Sequence, residues 1–478
     1  MKQYLRLVFT ALLLAGSLLA MTSVSSRAYA APTAQSSCRL PGGTNTLHGA
    51  IDGANYTIAV PSNWNGTLVL YSHGYVPASS PLLNPAPDAP DQLTAAQLLQ
   101  EGYALLGSSY SQNGWALQQA FHDDIALLNF FDQTCGHPAR TLAWGDSMGG
   151  MITAGLVQLA PWRFAGALPM CGLLSGSVGL FNVQLDGLFA FNVLLANGSL
   201  QVVNFTNPLN ELNQAEGILA AAQQTPQGRA RIALFSALED VPGWFTPTSP
   251  EPAPNDYAGQ EANQYQAAQV DLFFDIVAMA EAEGRAGGNY SWNTGVDYFD
   301  QFQRSIDSQE VRALYQQARL NLKQELDTIQ DAPRISANQN AVRYMEKYII
   351  FNGELDIPVL SMHTTGDPLV FNQVEQAYAS VVKAEGDVSL LRQVFVHRAG
   401  HCAFTPAENL TALHTLIQRL NSGRWLDTTD PDQMNQEANA YGPTYNTLPP
   451  ATTVVPPAFI TYHPAVFLRP FDARNLWL

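Results

Sequence analysis

Basic residues are scarce in this sequence of 478 residues: 23 Lys and Arg stand against 40 Asp and Glu, and the formal net charge is -17. A phosphate backbone is held by clustered Lys and Arg, so this composition argues against a nucleic-acid partner. Charged residues make up only 13% of the chain, whereas 46% are hydrophobic. A chain of this kind has enough apolar surface to form a folded core.

Long apolar runs are absent from the sequence apart from one near its start. Lys2 and Arg6 precede an almost wholly apolar segment from Leu7 to Met21. Ala28-Tyr29-Ala30 follows, with the small-x-small pattern that signal peptidase cleaves. The apolar segment is short for a bilayer span. We therefore predict a signal peptide over residues 1–30, a secreted product and no membrane span after cleavage.

Cysteine is also rare. The sequence has four, all beyond the predicted cleavage point: Cys38, Cys135, Cys171 and Cys402. An even number of cysteines in an oxidising compartment predicts two disulfides, and the sequence leaves three pairings open. There is no C-x-x-C pair and no cluster of His and Cys. The sequence therefore predicts no metal site.

Short apolar strands alternate with helical segments along the chain. The strand patterns are a hairpin over 46–60 with its turn at Asp52-Gly53, and runs at 67–71, 103–108, 141–144, 164–170, 358–362 and 393–397. Continuous apolar strands separated by helices are typical of a parallel sheet that is covered on both faces. The predicted fold class is α/β, with a doubly wound, mostly parallel sheet.

The spacing of the strands predicts the domain organisation. About 185 residues separate the strands at 164–170 and 358–362, far more than a βα crossover needs. Helical patterns at 214–223, 262–283 and 309–330 lie within this insertion. We predict a first core part at 31–174, a helical cap at 175–350 and a second core part at 351–426. A Pro-rich C-terminal segment, 427–478, is predicted to be extended and to lie on the surface.

The strongest motif is Gly145-Asp146-Ser147-Met148-Gly149-Gly150, which lies between a predicted strand and an apolar helix that starts near Met151. In that context G-x-S-x-G forms a sharp turn: Gly145 and Gly149 permit close backbone approach, and Ser147 projects from the sheet edge. The helix N-terminus places a partial positive charge where an oxyanion forms. Ser147 is therefore the predicted nucleophile.

A serine nucleophile needs a histidine base and an acid, which follow it in the chain order serine, acid, histidine. Asp367 follows the strand at 358–362, and His401 follows the strand at 393–397. The 34 residues between them leave room for one helix and one strand. Asp356 is an alternative acid, but it precedes its strand and would lie at the wrong sheet edge. We predict that Ser147, Asp367 and His401 form a catalytic triad.

Acyl transfer also needs two backbone donors for the oxyanion. The amide of Met148 directly follows the nucleophile, and we expect the second donor at Tyr75, in the loop after the strand at 67–71. His73 and Gly74 precede Tyr75. We assign His73 to the support of this loop rather than to catalysis.

These motifs resemble those of the α/β-hydrolase superfamily over residues 60–172 and 355–422. The Gly-x-Ser-x-Gly-Gly form and the preceding His73-Gly74 are similar to those of secreted esterases and of prolyl-oligopeptidase-type catalytic domains. His401-Cys402 is similar to feruloyl esterases and tannases, whose pattern joins a cysteine before the serine to one after the histidine. Asp146 stands before the serine here. The hypothesis that follows from the resemblance is that Cys171 pairs with Cys402 instead.

The sequence predicts a secreted serine hydrolase that cleaves a small-molecule or polymeric carboxylic ester. The reaction consists of proton transfer and addition, so no cofactor is implied. An ester is favoured over a peptide because no propeller or other specificity domain precedes the core. The alternative enzyme is a serine peptidase, in which an acid of the cap would hold the substrate amine. A non-catalytic binding protein on the same scaffold is an alternative of another class. The presence of all three triad residue types in order argues against it, because a binding surface has no need of them.

Overall fold

The computed structural model describes residue 38 and residues 40–43, 45–449 and 453–470. The predicted signal peptide, residues 1–30, lies outside the described residues. Nine strands form one sheet in the described part. Their bounds are β1 (Thr46–Ile51), β2 (Ala54–Ala59), β3 (Thr67–Ser72), β4 (Ala104–Ser108), β5 (Arg140–Asp146), β6 (Gly166–Met170), β7 (Val359–Gly366), β8 (Leu391–Ala399) and β9 (Phe459–Ile460).

The order of the strands is β1-β2-β4-β3-β5-β6-β7-β8-β9. β3 to β8 run parallel, whereas β1 and β2 at one edge and β9 at the other are antiparallel to their neighbours. β3, β4 and β6 are buried along their whole length, as strands covered on both faces are. The predicted fold class is confirmed.

The hairpin of β1 and β2 follows from its turn residues. Asp52 and Gly53 have φ values of 51° and 92°, and a two-residue type I′ turn needs positive φ at both central positions. The strands pair from Thr46 opposite Ala59 to Ile51 opposite Ala54. The predicted hairpin is confirmed.

The helices lie on both faces of the sheet and in one long segment between β6 and β7. Their bounds are α1 (Gln92–Gln100), α2 (Leu117–Cys135), α3 (Met148–Leu159), α4 (Gly176–Leu194), α5 (Pro208–Ala222), α6 (Pro226–Glu239), α7 (Tyr257–Phe273), α8 (Met279–Ala286), α9 (Tyr298–Arg304), α10 (Ser308–Ala318), α11 (Leu322–Asp331), α12 (Gln339–Lys347), α13 (Gln373–Glu385), α14 (Pro406–Ser422) and α15 (Pro431–Ala440). A π-helical turn, Phe274–Ala278, joins α7 to α8. Short 3-10 turns are Pro41–Gly43, Pro161–Arg163 and Asp427–Thr429.

The segment between β6 and β7 holds α4 to α12, and we call these nine elements and their connections the cap. The helical pattern at 309–330 is two helices, because Arg319 adopts a left-handed φ of 57° that ends α10. The sequence patterns did not predict α4 separately. Every residue from Gly176 to Asn192 is buried, so this helix has no polar face and no amphipathic period.

Helix α4 is long and apolar enough to cross a membrane by length and composition. In the structure, 89% of its most apolar 18-residue window is buried inside the fold. A core helix that is apolar on all sides has the same composition, so this finding is weak evidence for a membrane span.

The C-terminal segment differs from the prediction of an extended tail. Residues Pro431–Ala440 form α15, whose first turn is capped by the Asp430 side chain with proline at the first helical position. Phe459 and Ile460 then add β9 to the edge of β8. The prediction is wrong for these residues because a local capping signal and a free strand edge outweigh the proline content.

Three groups of buried apolar side chains fill the molecule. Neighbouring residues of a strand face opposite sides of the sheet. Leu68 and Leu70 of β3 therefore pack in one group and Val69 and Tyr71 in another, on the other face. The third group lies among the cap helices, which include the buried Phe235.

Candidate active site

The turn between β5 and α3 carries Ser147. This residue has φ 57° and ψ −127°, which is a strained backbone conformation for a residue with a side chain. A Cβ built at Gly145 or at Gly149 would overlap the carbonyl oxygen of Ser72. Only glycine therefore lets β3 approach the turn this closely. The structure has the sharp strand-to-helix turn that the motif predicts.

The structure brings Ser147, His401 and Asp367 into one hydrogen-bonded chain. The distance from His401 Nε2 to Ser147 Oγ is 2.8 Å, and His401 Nδ1 lies 2.8 Å from Asp367 Oδ2 and 3.0 Å from Oδ1. Because the carboxylate accepts from Nδ1, the imidazole tautomer leaves Nε2 free to accept the serine proton. Asp367 is fully buried, whereas Ser147 and His401 are half-buried.

Asp367 is held as a carboxylate. Its Oδ1 accepts the backbone N–H groups of Leu369 (3.0 Å) and Val370 (2.9 Å). Burial alone would raise the pKa of Asp367, but the charge of His401 and the hydrogen bonds from His363 and His401 hold it well below its ordinary value. The alternative acid, Asp356, is exposed and lies ahead of β7.

A second histidine, His363, lies behind Asp367, and the sequence analysis missed it. It is fully buried in β7, with Nε2 2.7 Å from the carbonyl oxygen of Val370 and 3.5 Å from Asp367 Oδ2. Its Nδ1 lies 3.2 Å from Glu375 Oε1. Burial lowers the pKa of His363, but the hydrogen bonds to Asp367 and Glu375 outweigh this and raise it to about 10. The signal available in the sequence was a histidine directly after the predicted strand at 358–362 and four residues before Asp367.

The loop after β3 lies beside Ser147. A Cβ built at Gly74 would be 3.2 Å from the Cβ of Ser147, so the backbone of this loop borders the serine. Met148 is the first residue of α3, where backbone N–H groups have no partner within the helix. The assignment of the Met148 and Tyr75 amides as oxyanion donors stays a prediction.

His73 contacts the same loop. Its ring stacks on Tyr110 with centroids 4.1 Å apart, and its Nδ1 lies 2.7 Å from the carbonyl oxygen of Gly74. Burial lowers the pKa of His73, which favours the neutral ring. These contacts are those of a residue that supports the loop.

Two disulfides link the described cysteines, Cys38 with Cys135 and Cys171 with Cys402. The second pairing is the one that the hypothesis proposed. Cys171 directly follows β6, and Cys402 Sγ lies 3.5 Å from His401 Nε2. This disulfide therefore ties the loop that carries the histidine to the strand beside the nucleophile. Cys171, His401 and Cys402 are close enough to hold a metal ion, but both sulfur atoms are in the disulfide and are not thiolate ligands.

The cap closes over one side of the site. The ring of Tyr75 meets that of Phe274, in the π-helical turn, with centroids 5.6 Å apart. Asp271 and Asp275 of the same region are both 2% exposed, and both oxygens of Asp271 lack a hydrogen-bond partner. Burial, then the charges of Asp275 and Asp367, raise the pKa of Asp271 well above its ordinary value. The cap thus places a buried carboxyl group near Asp367.

The strand order, the sharp turn at Ser147 and the hydrogen bonds that link Ser147, His401 and Asp367 together define a protein of the α/β-hydrolase fold. This confirms the predicted resemblance. No family model matches the sequence.

Among characterised proteins, the sequence is similar to the o-phthalyl amidase of Xanthobacter agilis, with 28% identity over 429 residues, 81% of this chain and 90% of the amidase. Among solved structures, it matches a probable hydrolytic enzyme of Pseudomonas aeruginosa (14% identity, 78% of this chain and 93% of the other, TM-score 0.33). It also matches feruloyl esterase B of Aspergillus oryzae (15% identity, 80% and 81% covered, TM-score 0.36).

Proposed function

We propose that this protein is a serine hydrolase that cleaves carboxylic esters or amides through an acyl-enzyme intermediate. One observation carries the proposal: Ser147 Oγ, the His401 imidazole and the Asp367 carboxylate form a continuous hydrogen-bonded chain with distances of 2.8 Å at both links. Nucleophile, base and orienting acid in this geometry are the parts that acyl transfer needs.

The roles follow from the chemistry of each group. His401 Nε2 removes the proton of Ser147 as Oγ attacks the carbonyl carbon, and Asp367 stabilises the imidazolium that forms. The amides of Met148 and Tyr75 are the proposed donors to the oxyanion. His401 then protonates the leaving alcohol or amine. Water, activated by the same histidine, attacks the acyl-enzyme and releases the acid.

The proposed mechanism is compatible with an ester or an amide bond. Both reactions pass through the same acyl-enzyme and differ in the leaving group. The similar protein from Xanthobacter agilis is named for an amidase activity, which supports an amide substrate. The sequence alone favoured an ester, and an ester has the better leaving group. We therefore propose ester cleavage as the faster reaction of the two.

A serine peptidase is the second candidate. The observation that favours it is the pair of cap carboxyl groups, Asp271 and Asp275, which are buried near Asp367 without full hydrogen bonding. An amine of a peptide substrate would supply the missing partner.

We also propose that the protein acts outside the cytoplasm. The signal-peptide pattern at residues 1–30 and the two disulfides support this location, since disulfides persist in oxidising compartments.

The test is a substrate panel on the chain from Ala31 onward: aryl esters of increasing acyl length, an o-phthalyl amide and aminoacyl nitroanilides. Ser147→Ala should lower kcat by about 10⁴-fold or more with folding intact, because nucleophile and base act as one unit. Ser422→Ala, an exposed serine at the end of α14, is the matched control and should keep full activity. Retained activity in Ser147→Ala, or no turnover of any substrate by the unmodified chain, would reject the proposal.

A further inference from the structure

A cavity of about 450 Å³ lies where the cap meets the carboxyl end of β7. We call it the cap-edge cavity. Its walls include Trp244 and Tyr257 of the cap, Asp307 and Glu310 at the start of α10, and Thr365-Gly366 at the end of β7. Ser147, His401 and Tyr75 are not among its lining residues. It is therefore separate from the cleft at the nucleophile.

Several buried side-chain oxygens of this cavity are hydrogen-bond acceptors without partners. Four buried oxygens of its lining residues have no hydrogen-bond partner: Asp307 Oδ2, Glu310 Oε1, Asn372 Oδ1 and Gln373 Oε1. Glu310 and Gln373 are 1% and 2% exposed. The other oxygen of Glu310 accepts the amide of Gln264 at 3.1 Å, so Oε1 is the atom left without a partner. A buried acceptor without a donor is costly, and a ligand that donates hydrogen bonds removes that cost.

The ionisable acids of the lining have no basic counterpart among the lining residues. Glu251, Asp307 and Glu310 contribute carboxyl groups, and none of the lining residues is Lys, Arg or His. His397, which is exposed, lies 3.5 Å from Glu251. A cationic ligand can pair with these carboxyl groups as they ionise, whereas an anion would find no donor from a basic side chain among the lining residues.

Aromatic rings form the apolar part of the wall. Trp244, Tyr257 and Tyr462 line the cavity, and ring faces attract organic cations. A bare metal ion fits less well. In the part of the chain that the structure describes, the only three potential metal ligands within 4.8 Å of one another are Cys171, His401 and Cys402, none of which lines this cavity.

We propose that the cap-edge cavity binds an organic ammonium or guanidinium ion. Glu310 and Asp307 face its charge, Gln373 Oε1 accepts a further N–H, and Trp244 contacts its apolar part. This inference does not depend on the reaction at Ser147.

The protonation of the carboxyl groups is linked to this binding. Burial, reinforced by the charges of Asp307 and Glu261, raises the pKa of Glu310 to about 9, and burial raises that of Asp307 to about 7. At neutral pH the carboxyl group of Glu310 in the empty cavity is therefore protonated and that of Asp307 is about half protonated. A bound cation favours the carboxylates, so binding releases protons and tightens as the pH rises from 6 to 9.

The cavity also adjoins the triad acid along the chain. Thr365 and Gly366 directly precede Asp367, and the side chain of Asn372, another lining residue, donates to the carbonyl oxygen of Thr365 at 2.7 Å. Trp244 packs against Gly366, where a built Cβ would be 3.1 Å from its ring. A ligand in the cavity therefore contacts the segment that positions Asp367.

The experiment is calorimetric titration of the full chain with benzylammonium, which carries one charge and one ring, and with benzyl alcohol, its neutral counterpart. We expect saturable binding of one benzylammonium, with at least tenfold weaker binding of the alcohol. Glu310→Gln keeps the shape of the side chain and should weaken benzylammonium at least tenfold. The matched control is Glu239→Gln, a cap glutamate that is 1% exposed and lies outside the cavity, which should bind within twofold of the unmodified protein.

A folding control and five possible binding results decide the outcome of this experiment. Thermal melting shows whether each variant is folded, and Asp307→Asn replaces Glu310→Gln if the latter does not fold. No saturable binding, equal binding of benzyl alcohol, or unchanged binding by the folded variant would overturn the proposal. Binding that disappears when Ser147 is blocked by a covalent serine reagent would place benzylammonium in the catalytic cleft and would also overturn it. Binding of Ca²⁺ alone with displacement of benzylammonium would make the cavity a metal site instead.

Discussion

The disulfide between Cys171 and Cys402 offers a prediction that separates stability from catalysis. The two cysteines are 231 residues apart in sequence, and Cys38 and Cys135 are 97 apart. Chain entropy alone assigns about 5.5 kcal/mol to the first cross-link and about 4.7 kcal/mol to the second, while native disulfides typically contribute about 2–4 kcal/mol. Removal of either bond is therefore expected to destabilise the fold by similar amounts.

The two bonds differ in what they hold. Cys402 directly follows His401, and its sulfur lies 3.5 Å from Nε2. Without the bond to Cys171, the loop keeps the hydrogen bonds of Gly400 to Gly366 (2.9 Å) and to Thr364 (2.8 Å). These restrain the residue before the histidine. The carbonyl oxygen of Cys402 accepts the Phe404 N–H at 2.8 Å, a bond within the same loop that does not tie Cys402 to β6. A displacement of about 1 Å at a catalytic group costs on the order of 100-fold in rate.

The assay compares two double variants, Cys171→Ser/Cys402→Ser and Cys38→Ser/Cys135→Ser. Urea unfolding followed by circular dichroism gives the free energy of unfolding, and ester hydrolysis is measured at 25 °C, below each unfolding transition. We expect both variants to lose a similar free energy of unfolding. Only the first should lose kcat/KM, by about 10- to 100-fold. Wild-type kcat/KM in the folded Cys171/Cys402 variant, or an equal loss in both variants, would refute the reasoning.

Two further predictions concern buried ionisable groups. The pKa of His363 is raised to about 10, so the stability from its protonation is complete below about pH 6.5 and is lost as the pH rises toward 10. His363→Gln should therefore reduce the difference between the free energies of unfolding measured in urea at pH 7 and at pH 9.5. An unchanged difference would contradict this prediction. Burial and neighbouring carboxylates raise the pKa of Asp271, so its contribution falls as the pH rises above about 4. Asp271→Asn should therefore raise the Tm more at pH 8 than at pH 5, with the exposed Asp331→Asn as control, and an equal shift at both pH values would contradict it.

Local patterns determined much of the fold and most of the predicted site. The turn at Asp52-Gly53, the strands up to β8 and the glycines around Ser147 are set by residues that are near one another in sequence. Their backbone preferences act over a few residues, so a sequence pattern is sufficient to find them. Chain order then assigned Asp367 and His401 to the nucleophile.

Features without a local pattern were not predicted. Helix α4 is buried on all sides and so has no amphipathic period. The strand β9 exists because the edge of β8 accepts it, and the role of His363 depends on Glu375 and Asp367 meeting it inside the core. These outcomes rest on which surfaces the other elements leave uncovered.

The sequence by itself determined the sheet class, the sharp turn at Ser147 and the residue types of the triad, because short-range backbone chemistry specifies each of them. Only the tertiary structure decided that Cys171 pairs with Cys402, that His363 stands behind Asp367 and that Glu310 shares a cavity with Trp244. Each of these arrangements joins residues from separate elements, and their positions depend on how the helices of the cap and the strands of the core pack against one another.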